Sequence, residues 1–339
     1  MKPSFIHPTA ANSSDDPSPL STDQVASWQT QGYTLVDGLF PASVVNELQT
    51  AASAHFPAAG SEQAASIRDF GSAVNFPSQL AGFNQLTLHP RLLGAVSQLL
   101  GCDVSGLRLS QSDLWPKYGR ASTDGHYDNQ DQRIHVDYPN HTLVHPSPWS
   151  RPEAVEMIVY LSNVDECGGS TALVPRTGTD DPAYRWPIVD TPGVNDLRYI
   201  NDRTAAEEYF AAERPHRAQW RQSLYERERW THYSPGTVVF YRHDVWHRGT
   251  PLVPGTRRLA HNITFRRAEC EWISTLHTGW SWAMYRDDKF MERLIASASL
   301  DQRAVLGFPQ PGSSYWCDET IEAVQARYGA FGFDPTPYR

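Results

Sequence analysis

Two short stretches carry the spacing His-x-Asp: His126-Tyr127-Asp128 and His135-Val136-Asp137. On a strand, residues two apart face the same side, so one such pair can hold one metal ion. A further histidine from another strand would give two imidazoles and one carboxylate. That set leaves positions open on Fe(II) for a chelating co-substrate and for O2. The spacing arises easily by chance, so the surroundings must discriminate. His126 lies between Thr123-Asp124-Gly125 and Asn129-Gln130-Asp131, which is a loop composition. His135 is framed by Ile134, Val136 and Tyr138, the alternation of a strand. The second pair is therefore the candidate metal site.

The distal histidine is sought after a later strand. The run Gly236-Thr-Val-Val-Phe-Tyr241 is followed by a short bend and then His247. His243 and His261 are alternatives for the same role. Further on, Arg258 opens the apolar strand Leu259 to Phe265. Its planar guanidinium can bind a carboxylate through two hydrogen bonds, which suits a dicarboxylate co-substrate. Arg257 is its rival, because a slip of one residue turns a side chain to the other face.

Elements must position these groups. Residues 1–20 are rich in Pro, Ser, Asp and Asn and are expected to form a disordered tail. A single domain is expected over 21–339. Ser21-Thr22-Asp23 starts a helix that stops at Gly32, and Tyr33 to Val36 reads as a strand. Helices are expected from Pro41 to about His55 and from His89 to Leu100. Strands are expected over Val104 to Trp115, Arg133 to Tyr138, Ala154 to Leu161, Thr171 to Val174, Gly236 to Tyr241 and Leu259 to Phe265. Short strands separated by turn signals indicate a sandwich or barrel. Residues 176–233 form a long insertion with a helix over Glu207 to Arg229, expected to be a lid or subdomain. Residues 269–339 are expected to be a helical extension.

Composition narrows the class. The chain has 339 residues, 40% of them hydrophobic, enough to bury a large core. Lys plus Arg number 29 and Asp plus Glu 38, so the net charge is 29 − 38 = −9. That balance disfavours a nucleic-acid partner. No apolar run approaches a membrane span, so no membrane partner is expected. The first residues lack the apolar stretch of a secretory signal. Four scattered cysteines, with no C-x-x-C, read as reduced thiols of a cytoplasmic protein. Most of the 11 tryptophans are expected in packing, with two or three facing a pocket. The insertion's arginines are expected mainly on a solvated face.

The motifs, taken in order, resemble one family. They are Trp28-Gln-Thr-Gln-Gly-Tyr-Thr-Leu-Val-Asp-Gly-Leu-Phe40, His135-Val-Asp137, Leu161-Ser-Asn-Val-Asp-Glu-Cys-Gly-Gly-Ser-Thr-Ala-Leu-Val-Pro175, Trp246-His247-Arg-Gly-Thr250 and Arg258. Together they resemble the phytanoyl-CoA dioxygenase family, over most of residues 22–268. The resemblance implies a mainly β fold with flanking helices, a double-stranded β-helix (cupin-like jelly roll). It implies a hydroxylase or related oxidase dependent on Fe(II), 2-oxoglutarate and O2. It makes His135, Asp137 and His247 the iron ligands and Arg258 the partner of the far carboxylate of 2-oxoglutarate. Gln111 resembles a polar residue that the family places near the co-substrate, and Thr250 adds a hydroxyl. Asp137 occupies the position that a halogenase would leave free for halide, which disfavours halogenation. The family's Pro-Gly-Ser-His run is replaced here by Pro175-Arg-Thr-Gly178, so the substrate does not carry over. The rival class is a non-oxygenase cupin-type metal protein: an isomerase, a hydrolase or a binding module without catalysis.

Overall fold

A computed structural model describes residues 3–67, 72–76, 78–120, 131–145, 148–184, 201–270, 289–305 and 308–339. Eleven strands run along the described chain: β1 (Phe5–Ile6), β2 (Thr9–Ala10), β3 (Tyr33–Asp37), β4 (Val74–Asn75), β5 (Leu107–Tyr118), β6 (Ala154–Tyr160), β7 (Thr171–Leu173), β8 (Arg229–Thr231), β9 (Val238–Tyr241), β10 (His247–Gly249) and β11 (Arg257–Arg267). They form a seven-stranded sheet, β2-β3-β9-β6-β11-β5-β4, and a four-stranded sheet, β1-β8-β7-β10. The result is a sheet-rich jelly roll with flanking helices, as the family resemblance implies.

The large sheet is covered on both faces. Its outer face packs Val155, Met157, Val159, Phe240, Leu259 and Ile263 against the helices α1 (Thr22–Gln31) and α2 (Ala42–His55) and the helix Pro90–Leu100. Its inner face sets Tyr33, Ile158, Tyr160, Val239 and Tyr241 against Leu173, Val174 and Trp246. This explains why every residue of β6 is buried. Burying a Val or Ile side chain contributes about 1.5–3 kcal/mol, so the two-faced strand is a main source of stability.

Several boundaries follow local chemistry. Ser21 caps α1 in a reciprocal box: its hydroxyl accepts from Gln24 N and Gln24 Oε1 accepts from Ser21 N. Gly32, at φ 93°, ends that helix in the left-handed region. The strand expected to end at Trp115 continues to Tyr118, because β11 pairs with it along its whole length.

Three expectations are corrected. Residues 3–20 are not a disordered tail. β1 joins the edge of the small sheet beside β8, and β2 joins the edge of the large sheet beside β3. The Gln24 amide donates to Thr9 O and Ala10 O, and the Arg91 guanidinium to Asn12 O and Ser13 O. Sheet edges offer unpaired backbone groups, so a segment poor in apolar side chains can still be held by its backbone.

The second correction concerns Arg133 to Tyr138, which forms no continuous strand. Only His135 makes a ladder pair, with His247. Asp137 turns into the helical region at φ −97°, ψ −18°, and both Asp137 N and Tyr138 N donate to His243 O. Pro139 lacks a backbone N–H and opens a 3-10 turn, which draws the chain off the sheet.

The third correction is in the insertion. The helix expected over Glu207 to Arg229 is two, Arg203–Glu213 and Pro215–Arg227, because Pro215 starts a new helix. Arg229–Thr231 is a strand of the small sheet, so this end of the insertion belongs to the scaffold. Arg221 binds Glu207, and Arg227 binds Asp181. Of the arginines expected on a solvated face, Arg176 and Arg221 are buried, Arg203 and Arg217 are half-buried, Arg214 is exposed, and Arg185 and Arg198 lie outside the described residues.

The described part of 269–339 contains the helices Phe290–Ser297, Leu300–Val305 and Asp318–Tyr328. Met291, Ile295, Phe308, Val324 and Tyr328 pack with Leu143 and Val144, just beyond the His-x-Asp segment. All four cysteines are free thiols. Among the described residues, no helix is long and apolar enough to cross a membrane.

Candidate metal centre

His135 and His247 exchange both backbone bonds, His135 N to His247 O at 2.9 Å and His247 N to His135 O at 2.8 Å. This single ladder pair brings the two rings to 4.5 Å between centroids. Each ring is oriented by its own chain. His135 Nδ1 lies 2.9 Å from Arg133 O, and His247 Nδ1 lies 2.9 Å from Val245 O. A proton on each Nδ1 satisfies those carbonyls and leaves each Nε2 lone pair free for a metal.

Asp137 completes the set. Its Oδ2 lies 3.1 Å from His247 Nε2, and its Oδ1 lies 3.7 Å from His135 Nε2. One ligand atom from each of the three residues falls within 4.8 Å of the others. The turn at Asp137, rather than strand alternation, aims the carboxylate. Tyr241, on the inner face of β9, donates its hydroxyl to Asp137 Oδ2 at 3.2 Å.

The charge states suit a divalent cation. Burial alone would raise the Asp137 carboxyl, but the neighbouring imidazoles, His247 foremost, hold it well below the usual carboxylate range. Burial pushes His135 down to about 3, so it is neutral at neutral pH. Burial also acts to lower His247, but Asp137 outweighs it and the net shift is upward. A metal placed here would displace that proton and take over the carboxylate. The donor set, one anionic oxygen and two imidazole nitrogens, fits Fe(II).

Arg258 and Arg257 point opposite ways. Arg258 is 5% exposed and lies on the inner face of β11, where Nη1 donates to Gly169 O. Its buried Nε has no hydrogen-bond partner, as expected of a guanidinium awaiting an anion. Gly169 has φ +67°, and a Cβ there would stand 2.4 Å from Leu252 Cδ2 and 3.3 Å from Arg258 Cδ. The glycine thus makes the room in which Arg258 lies. Arg257 faces outward and donates to Phe56 O and Pro57 O beyond the end of α2.

The remaining site residues separate. Thr250 is buried, and its hydroxyl donates to Ser170 O. Gln111 lies on the inner face opposite Thr264 and donates to Asp113 Oδ2. That is six residues along β11 from Arg258, at the other end of the face. His243 serves the centre through its backbone carbonyl. His261 lies on the outer face, with Nε2 2.8 Å from Ser112 Oγ and its ring stacked on Phe83. His126 and Asp128 lie outside the described residues. Trp149 and Trp246 line a small cavity with Tyr138, Arg176 and Asp244.

Sequence reasoning missed Tyr241, Lys117, Glu156 and His141. Lys117 is buried opposite Arg258, and its charge acts on His247. Glu156 is adjacent to Tyr241 in the β6–β9 register. Alternation along the strands would have turned Tyr241 and Glu156 inward, but the strands carrying them read as nearly continuous apolar runs with both faces covered.

Arg248 anchors β10 from the other side of the ladder. It is 1% exposed and pairs with Asp131 and with Glu228, the latter at 2.8 Å. Arg248→Met leaves the largely buried Glu228 without its cation and Asp131 with only Arg203, at 3.8 Å, a loss of about 2–4 kcal/mol. Denaturant unfolding should show that loss, and an unchanged midpoint would contradict it.

A two-sheet jelly roll with two imidazoles and a carboxylate gathered on its inner side is the framework of a mononuclear metal protein. Residues 28–259 match the family model for phytanoyl-CoA dioxygenase, and the chain belongs to that family. It is accordingly a dioxygenase of the iron- and 2-oxoglutarate-dependent kind. Solved structures similar to it include the carbocyclase SnoK from nogalamycin biosynthesis, at 15% identity and TM-score 0.48, over 77% of this chain and 89% of that one. EctD from S. alaskensis is 18% identical, with TM-score 0.48, over 79% and 84%. EvdO2 from Micromonospora carbonacea var. aurantiaca, complexed with 2-oxoglutarate, is 13% identical, with TM-score 0.49, over 74% and 91%. No functionally curated protein matches the chain.

Proposed function

We propose that this protein hydroxylates a C–H bond of a small organic molecule, with His135, Asp137 and His247 holding Fe(II) and Arg258 holding the far carboxylate of 2-oxoglutarate. The observation that carries the reading is the cluster of His135, Asp137 and His247, together with a buried guanidinium on the inner face of β11 whose Nε has no hydrogen-bond partner. Iron and 2-oxoglutarate, when bound, supply the oxidising power of O2. The chain's own residues bind and orient. The Arg133 and Val245 carbonyls fix the two imidazoles, and Tyr241 holds Asp137. Arg258 offers its guanidinium from a wall made of Gly169 and Leu252. The apolar inner face, with Ile158, Tyr160 and Val239, keeps water from the reacting groups.

The test is consumption of 2-oxoglutarate by the purified protein under air. Succinate should form only with Fe(II) present, a chelator should stop it, and Fe(II) should restore it. An oxidised product carrying one oxygen atom from O2 marks hydroxylation. Turnover of a substrate without 2-oxoglutarate or O2 would favour the non-oxygenase class instead.

A further inference from the structure

The segment that carries His135 has different partners on its two edges. On one edge His135 N and O pair with His247. On the other edge the next backbone N–H and C=O belong to Ile134. Among the described residues, no strand pairs with Ile134 there. Such buried backbone groups need partners. Helix Pro215–Arg227 of the insertion supplies them. Ile134 N donates to the Tyr225 hydroxyl at 3.0 Å, and Arg221 Nη2 donates to Ile134 O at 3.2 Å. Tyr225 and Arg221 are four residues apart, so one helix face presents both.

Each of these bonds clamps a peptide group that also serves the metal centre. Ile134 N and Arg133 O belong to one peptide. Arg133 O is the carbonyl that holds His135 Nδ1 at 2.9 Å, so Tyr225 fixes the plane that orients the imidazole. Ile134 O and His135 N belong to the next peptide. His135 N donates to His247 O at 2.9 Å, so Arg221 fixes the plane that joins the two histidines. A planar peptide cannot turn one of its polar groups without turning the other.

The two side chains are themselves braced. Tyr225 donates its hydroxyl to Glu207 Oε1 at 2.7 Å. Arg221 binds the same carboxylate through Nε at 2.9 Å and Nη2 at 2.6 Å. Glu207 lies on the neighbouring helix Arg203–Glu213. Burial pushes the Tyr225 hydroxyl up to about 12, so it keeps the proton it gives to Glu207 while accepting from Ile134 N. The Arg221 guanidinium lies 4.4 Å from the Phe210 ring centroid and is 4% exposed as a residue. Ile134, Leu224 and Tyr225 share one core cluster. Trp220 meets Trp246, the neighbour of His247, edge-on at 5.1 Å between ring centroids. The helix pair therefore packs on the back of the strand pair that carries the two histidines.

We propose that Tyr225 and Arg221, braced by Glu207, are positioning residues of the metal centre. They hold the peptides on either side of Ile134, and through them the His135 imidazole and its pairing with His247. This reading rests on the proposed function, because it presumes that His135 is an iron ligand. Losing a group that orients a metal ligand costs about 10–100-fold in metal affinity. Tyr225 acts through an intervening peptide, so the lower end, about tenfold, is expected.

The experiment uses the full chain with isotope-labelled histidine. Nitrogen NMR of the metal-free protein reads the His135 tautomer, assigned by comparison with His135→Asn. Anaerobic equilibrium dialysis reads Fe(II) affinity, and denaturant unfolding reads stability. Wild type should carry the His135 proton on Nδ1. Tyr225→Phe should mix the two tautomers and weaken Fe(II) by about tenfold. Arg221→Met should weaken Fe(II) by a similar factor, and Arg221→Lys should recover part of it, because an ammonium can still donate to Ile134 O. The control is Leu224→Val, which loosens the same helix without touching either peptide. It should lower the unfolding midpoint yet keep the tautomer and hold Fe(II) affinity within about twofold of wild type. A wild-type proton on Nε2, or a wild-type tautomer and affinity in Tyr225→Phe, would overturn the proposal. So would Leu224→Val weakening Fe(II) as much as Tyr225→Phe does, which is the mark of a merely structural role. Should Tyr225→Phe not fold, the Arg221 pair decides, and equal Fe(II) affinity of the Met and Lys variants overturns the proposal. Failure of wild type to bind Fe(II), or undiminished binding by His135→Asn, would instead remove the functional reading on which it rests.

Discussion

Asp137→Ala is expected to lower iron affinity by at least about a hundredfold while leaving a folded protein. In the proposed centre three side chains anchor the ion, and loss of the anionic one removes both a bond and the charge that favours a dication. Loss of a partner that merely orients a ligand already costs about 10–100-fold elsewhere, so loss of a ligand should cost more. The fold should survive because Asp137 is bonded through its backbone to His243 O, which the substitution leaves intact. His247→Ala should act similarly, since the ladder pair with His135 also runs through backbone atoms. His126→Ala should change iron affinity little. Equilibrium dialysis against Fe(II), with far-UV circular dichroism as the control for folding, reads all three. Tight iron binding by Asp137→Ala would show that the pair at His135 had been chosen wrongly.

The second large effect is expected at Arg258. A charge-assisted pair between its guanidinium and a carboxylate contributes roughly 1.5–3 kcal/mol, or about one to two decades of affinity. Arg258→Gln should weaken 2-oxoglutarate by that factor and spare iron. Arg258→Lys should recover only part, because an ammonium lacks the planar fork. Arg257→Gln is the control. It points to the carbonyls of Phe56 and Pro57 on the outer face, so it should cost stability rather than co-substrate affinity. A large effect at Arg257 with none at Arg258 would contradict the register of β11.

The strands that build the centre were legible because burial on one or two faces leaves a pattern in sequence. Ala154 to Leu161 reads as nearly continuously apolar because helices cover one side of β6 and the small sheet the other. Gly168-Gly169 reads as a turn, and both residues do take positive φ. The geometry around Asp137 was not legible in the same way. Its position depends on Pro139 and on the His243 carbonyl, a contact that spans more than a hundred residues. The N-terminal segment was misread for a related reason. Its order comes from backbone pairing at two sheet edges, which composition does not record. Glu156 was overlooked because one acid within an apolar run carries no motif, and only the register places it beside Tyr241.

The most direct measurement is an anaerobic calorimetric titration of 2-oxoglutarate into the protein, with and without Fe(II). The account predicts one bound 2-oxoglutarate per chain when iron is present and binding at least tenfold weaker when it is not. It also predicts that Arg258→Gln lowers the affinity of the iron-loaded protein while Arg257→Gln leaves it unchanged. Binding that is indifferent to iron, or no binding by the iron-loaded wild type, would contradict the assignment of this centre.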